Sequence, residues 1–210
     1  MLALGHPGIT LGAAALLAGL LPRVGRQRRK SVAGLPGEEV ARRSSSSGVG
    51  SWFARLGNGR DIRLLLVGSL LPDIIDKPVG SVLFRESLSG GRIFSHTLLF
   101  LIVMTLAGLF RLRRSGKNGL LVLAAGTLAH LILDEIWLAP ETLFWPLLGL
   151  DFPRVDLTGW IGELWYAMSH DPALYVPEII GGAVIILFLW VLVSNRTLRS
   201  FIRRGGLDIA

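Results

Sequence analysis

Four separate apolar stretches of this chain each bring histidine or aspartate into an aliphatic segment or to its lip. They are His6 in the first, Asp73 and Asp76 in the second, His96 at the start of the third, and His130 with Asp134 in the fourth. Hydrocarbon strongly disfavours an ionised carboxylate. Three imidazoles and three carboxylates in such places call for a common purpose, and a bound metal ion is the simplest one.

The background to these residues is a membrane protein. The chain has 210 residues and is 51% apolar, with a mean hydropathy of +0.55. That balance suits a polytopic chain better than a soluble domain. The expected fold class is all-α, a single membrane domain over 1–210 built as a transmembrane helical bundle of about five spans. The spans read as His6–Leu21, Ile62–Phe84, Ile93–Phe110, Gly119–Trp137 and Pro177–Val193. The first is short and must tilt, gain length at its ends or thin the bilayer. The second carries Pro72 and Pro78, so a kinked or broken second span is expected, of the kind that lines a cavity.

Between these spans lie two polar or mixed regions. Residues 23–60, with four successive serines from Ser44 to Ser47, read as a flexible basic cytoplasmic loop. Within it Trp52, Phe53 and Leu56 are placed on a short interfacial helix. Residues 141–176 read as an outer interfacial region, because Trp145, Trp160, Trp165 and Tyr166 favour the headgroup layer. A helix over Glu163–Ser169 is expected to lie at that surface, with His170 a surface residue. No basic region precedes Gly8–Leu21, which argues against a cleaved signal peptide.

Charge sets the orientation. Ten of the 22 Lys and Arg residues fall between Arg23 and Arg63, four between Arg111 and Lys117, and four after Val193. Five spans put all three basic stretches on one side, which the positive-inside rule makes cytoplasmic. The N-terminus is then outside and the C-terminus inside. His6, Asp73, Asp76, His96, His130 and Asp134 did not enter that count, yet all fall at similar depth in the outer half. The net charge of +7 is read as topology and as attraction to anionic lipid. No helix-turn-helix or zinc-finger spacing is present, so no nucleic-acid partner is expected.

The chemistry follows from the donor set. His130 and Asp134 are four apart and share a helix face; Asp73 and Asp76 do the same if the turn after Pro72 is helical. Imidazole nitrogen with carboxylate oxygen suits zinc first, then manganese or iron. The absence of cysteine excludes thiolate ligands and a thiol nucleophile. Six candidates exceed the needs of one tetrahedral zinc. They would serve two ions, or one ion with aspartates that orient its histidines. Glu135 is a further candidate for general base, and Arg92 for contact with a substrate phosphate.

Gly5-His6, the block Gly68-Ser69-Leu70-Leu71-Pro72-Asp73-Ile74-Ile75-Asp76, the step Ser95-His96-Thr97, and Ala129-His130-Leu131-Ile132-Leu133-Asp134 together resemble the family of inner-membrane metal-dependent hydrolases. That family is also described as LexA-binding, inner membrane-associated hydrolases. The resemblance covers about His6 to Leu150 apart from the serine-rich loop. It implies a metal site of His6, Asp73, Asp76, His96, His130 and Asp134. A distant likeness of the family to zinc-dependent phospholipase C and P1-nuclease-like enzymes implies phosphoester hydrolysis. The family often has a His-Arg-Gly element before the central histidine, where this chain has Gly90-Gly91-Arg92; and Lys77 follows Asp76 where a further histidine is common.

The expectation is therefore a plasma-membrane (inner-membrane) metal-dependent hydrolase acting on a lipid or lipid-like phosphoester. Asp73, His130, Glu135 and Arg92 are its candidate catalytic groups, and the surface helix around Trp160–Tyr166 is a candidate gate. The rival is a non-enzymatic membrane protein, with either a structural metal site or a small transporter's carboxylate relay.

Overall fold

A computed structural model describes residues 4–20, 49–57, 60–80, 91–152 and 159–207. Every regular element among these is helical. Helix α1 is Gly5–Leu20, α2 Val49–Gly57, α3 Ile62–Gly68, α4 Leu71–Pro78, α5 Leu98–Ser115, α6 Gly119–Leu133, α7 Pro140–Leu143, α8 Trp160–His170, α9 Pro172–Ser194 and α10 Leu198–Arg204. Two short 3-10 turns, Phe94–His96 and Ile136–Leu138, precede α5 and follow α6.

Of these, α9 is long and apolar enough to cross a membrane. It starts cleanly because Asp171 caps it, accepting from Ala173 N at 2.9 Å, with Pro172 in its first turn. Ile179, Ile186, Trp190 and Val193 point outward from it, an apolar surface suited to lipid. Helices α1 and α6 are shorter apolar helices of 16 and 15 residues. At 1.5 Å per residue they reach about 24 Å, less than a bilayer core of about 30 Å.

The main packing pairs are α1 with α9, α3 with α6, and α5 with α6. Small residues set the first two distances. A Cβ on Gly8 would fall on the backbone of Gly181, and one on Gly126 would strike the Leu65 carbonyl and the Ser69 amide. Backbones approach this closely only where side chains are missing.

An apolar core of Leu11, Phe53, Leu56, Ile62, Leu65, Val122, Phe188, Val191 and Leu192 occupies the end of the bundle nearest the basic stretches. Helix α2 belongs to it. Phe53 is 2% exposed and stacks at a tilt on Phe188, with ring centroids 5.1 Å apart. The short helix expected around Trp52, Phe53 and Leu56 thus forms, with Phe53 and Leu56 packed inward and Trp52 exposed. Residues 23–48 of the expected loop lie outside the described residues.

The second apolar segment is broken, as expected, but the break comes earlier than the proline rule suggests. Helix α3 stops at Gly68 and α4 starts at Leu71. Pro72 occupies the first turn of α4, where its missing N–H costs nothing. The chain therefore turns at Ser69-Leu70, and Ser69 caps α3 with its hydroxyl donating to the Leu66 carbonyl at 2.8 Å. Residues 81–84 of the expected span lie outside the described residues. The third helix also differs. His96 does not open it but sits in the preceding 3-10 turn, and Thr97 caps α5 by accepting from Phe100 N at 3.1 Å.

Candidate metal centre

At the end of the bundle opposite the apolar core, the chain ends and breaks of four elements converge. His6 comes from the first turn of α1, Asp73 and Asp76 from α4, His96 from the 3-10 turn, His130 from the last turn of α6, and Asp134 from its C-cap. His6, Asp76, His96 and His130 are each 0% exposed, and Asp134 is buried. Helix α6 ends because Asp134 leaves helical geometry and Glu135 turns left-handed at φ 50°. Both His130 and Asp134 still face the cluster.

Asp76 is the organiser of the 3-10 turn. It accepts from Ile93 N at 2.8 Å, Ser95 N at 3.0 Å and His96 N at 3.2 Å. It also binds His96 Nδ1 at 2.7 Å. Ser95 Oγ donates to the Pro72 carbonyl at 3.0 Å, tying the turn to the start of α4. On the other side, His130 Nδ1 lies 2.8 Å from the Ser69 carbonyl oxygen.

These partners fix the tautomers. A carboxylate and a carbonyl can only accept, so both Nδ1 atoms carry hydrogen. In neutral rings both Nε2 atoms then carry lone pairs, and they face each other at 3.2 Å. Two lone pairs do not rest at that distance unless a proton or a cation lies between or beside them. His6 stacks on His130 with centroids 4.1 Å apart and places its Nε2 3.3 Å from Asp134 Oδ1. Asp73 Oδ1 lies 3.9 Å from His96 Nε2 and 4.0 Å from His130 Nε2.

Two groups have ligand atoms close enough to hold an ion: His6, Asp73 and His130; and His96, His130 and Asp134. His130 is common to both, and with its Nδ1 committed it has one nitrogen to offer, so the two groups are alternative ligand sets for one ion. The donor set fits a divalent cation of intermediate softness. Asp76 is in neither group. Glu135 is exposed and also outside both. Arg92 is close by, its Nε 2.7 Å from Asp134 Oδ2. His170 is exposed on α8, stacked on Tyr166 with its Nδ1 3.0 Å from the Tyr166 carbonyl oxygen.

Three contributors carried no role in the sequence reading. Ser69 acts through a backbone carbonyl, which no side-chain pattern reveals. Ser95 acts through its amide and hydroxyl, and only its place beside His96 hinted at it. Lys77 pairs with Asp73 at 2.7 Å, a spacing of four that was there to be read.

A family model described as the YdjM inner membrane protein matches residues 1–201. No curated protein and no solved structure matches the chain.

Proposed function

The chain belongs to the YdjM inner membrane protein family, and we propose that its buried cluster is the metal centre of a membrane-embedded hydrolase acting on a lipid or lipid-like phosphoester. The observation that carries this reading is the pair of Nε2 atoms 3.2 Å apart on rings whose Nδ1 atoms are both already committed. Zinc suits the donors best. The ion would be held either by His6, Asp73 and His130 or by His96, His130 and Asp134, since the one free nitrogen of His130 can ligate a single ion. A divalent cation held there supplies Lewis acidity and makes water nucleophilic at neutral pH.

The chain's own residues then have distinct jobs. Asp76 positions His96 and fixes its tautomer, as a carboxylate behind a ligand histidine does. The Ser69 carbonyl does the same for His130. Asp73, whose Oδ1 faces both Nε2 atoms, is the carboxylate to accept a proton from an attacking water. Arg92, anchored on Asp134, meets the phosphate of the substrate. The phosphorus–oxygen ester bond would break as water oxygen bonds to phosphorus, and the leaving alcohol would take up the proton that Asp73 accepted.

A lipid substrate is supported by the surroundings. Phe94, two residues from His96, makes edge contacts with Trp145 and Phe152 at 5.4 and 5.1 Å. The adjoining segment exposes Trp137, Leu138, Leu147, Leu148 and Leu150, an apolar ledge for acyl chains near the buried polar cluster. Helix α8, with Trp165 and Tyr166 exposed, is the proposed gate. The proposed topology has α1, the broken α3–α4, α5, α6 and α9 crossing the membrane, with the N-terminus outside and the cluster under the outer surface.

Metal analysis of purified protein tests this reading. Wild type is expected to hold stoichiometric zinc, and His130→Ala to lose it while still inserting in the membrane. Folded wild type without bound metal overturns it and leaves a proton shared between His96 and His130.

A further inference from the structure

Helix α10 does not continue α9 but folds back on it. Phe201 follows Phe188 by thirteen residues, and an unbroken helix would hold them about 20 Å apart. Their ring centroids lie 5.3 Å apart, edge to face. The chain reverses where Arg196 turns left-handed at φ 54° and Thr197 N donates to the Leu192 carbonyl at 2.9 Å. The far end of α10 is tied to the start of α3. Ile62 N donates to the Gly205 carbonyl at 2.8 Å, and Arg63 Nη1 donates to the Ile202 carbonyl. A helix of seven residues, too short to persist alone, is thus fixed at both ends against the apolar core.

Pinning the backbone sets what each face presents. Going round α10 at about 100° per residue, Phe201 comes first, then Leu198 and Ile202, then Arg199 and Arg203. Phe201 packs inward on Phe188. Leu198 and Ile202, one turn apart, are 43% and 61% exposed. Arg199 and Arg203, also one turn apart, are exposed on the next stripe. Neither arginine has a hydrogen bond or ion pair among the described residues. The order protein-facing, apolar, cationic is that of a helix lying in a membrane interface, where apolar side chains reach the acyl layer and guanidinium groups stay with the phosphates. The position agrees. Helix α10 starts four residues after α9 ends, just beyond the exposed Trp190 and Val193, at the level where the one helix shown to be long and apolar enough to cross a membrane leaves the apolar layer.

We propose that α10 is an interfacial helix that binds an anionic phospholipid, with Arg199 and Arg203 at its phosphate and Leu198 and Ile202 against its acyl chains. The charge balance selects an anionic headgroup. Helix α10 carries no Asp or Glu, and Arg196 beside it is also exposed, so nothing on this surface favours the ammonium of a zwitterionic lipid. A second copy of the chain would bring like charge against like charge. A nucleic acid would meet the arginines but leave the Leu198–Ile202 stripe in water. This surface packs on the core at the end of the bundle away from the histidine cluster, and its role is independent of any hydrolytic activity there.

Thermal unfolding of the full chain in maltoside micelles doped with dioleoyl phosphatidylglycerol or dioleoyl phosphatidylcholine tests the site. Native mass spectrometry on the same samples counts bound lipid. Wild type is expected to be stabilised by phosphatidylglycerol at a lipid fraction about tenfold lower than by phosphatidylcholine, since each arginine near an anionic surface strengthens binding several-fold. Arg199→Gln with Arg203→Gln should bring that ratio close to one, and Arg199→Lys with Arg203→Lys should keep most of it. Arg203→Gln alone carries the test if the double variant does not accumulate. Arg113→Gln with Arg114→Gln removes the same charge from the end of α5 and should leave the ratio as it is. Leu198→Ser with Ile202→Ser should weaken the response to both lipids. Equal responses of wild type to the two lipids, or a ratio unmoved by losing Arg199 and Arg203, overturn the proposal. So does an equal loss from the α5 pair, which would reduce the effect to net charge, and so does an undiminished response without the Leu198–Ile202 stripe. Dimers that depend on Arg199 and Arg203, in place of lipid adducts, overturn it in favour of a contact between copies.

Discussion

The Ser69 carbonyl oxygen lies 2.8 Å from His130 Nδ1, and the two residues meet because α3 and α6 cross at Gly68 and Gly126. A Cβ at Gly126 would press on the Ser69 amide and the Leu65 carbonyl. The hydrogen bond that sets the His130 tautomer is thus a consequence of a glycine four residues earlier. Gly126→Ala should force the helices apart at a cost of about 1–3 kcal/mol. It should also weaken metal retention, although it touches no ligand. Thermal unfolding together with metal content checks both effects; a variant as stable and as metal-rich as wild type would show that the crossing does not set the site.

His130 belongs to both ligand groups, whereas His6 and His96 belong to one each. His130→Ala is therefore expected to empty the whole centre. His6→Ala and His96→Ala should each leave the other ligand group intact and so retain metal more weakly than wild type. Metal-to-protein ratios on the three variants separate these outcomes, and equal residual metal in all three would contradict a shared ligand.

Asp76 touches the centre only through His96, yet it accepts three backbone amides and one imidazole. Asp76→Asn keeps the shape but removes the charge. Metal affinity should fall about 10- to 100-fold, the usual effect of losing a carboxylate behind a ligand histidine. Competition with a chromogenic chelator measures it. Asp76→Ala should instead destabilise the whole turn, because buried amides lose their acceptor.

Phe53 tests whether α2 is structural. It is buried against Phe188, so Phe53→Ala should lower stability by about 3 kcal/mol. Trp52→Ala, on the exposed side, should cost far less. Denaturation in mild detergent compares the two, and equal costs would show that Phe53 does not anchor α2 on Phe188.

At the basic end, Asp61 caps α3 and holds Arg63 by two side-chain bonds of 2.9 and 2.6 Å. The Arg63 hydrogen bonds hold the Asp61 carboxyl below its ordinary value of 3.8. A depressed carboxylate stabilises the fold above its unfolded value and stops doing so as pH falls through the lower, folded value. Asp61→Asn should thus be less stable than wild type at neutral pH, and the gap should close below about pH 4. Thermal unfolding of both proteins across that range reads it.

The local pattern of the chain determined much of this. Apolar runs and basic flanks carry hydropathy and charge residue by residue. They were enough to indicate a helical membrane chain and to single out His6, Asp73, Asp76, His96, His130 and Asp134, since ionisable groups stand out against aliphatic neighbours. The tertiary structure decided how these residues are used. Asp73 and Asp76, three residues apart on α4, look alike in sequence; yet Asp76 turns into the buried 3-10 turn while Asp73 faces the imidazoles and Lys77. The break at Ser69-Leu70, the inward Phe53 and the carbonyl behind His130 all depend on where one helix crosses another. Such crossings are fixed by the close packing of residues distant in sequence, and no local pattern carries that information.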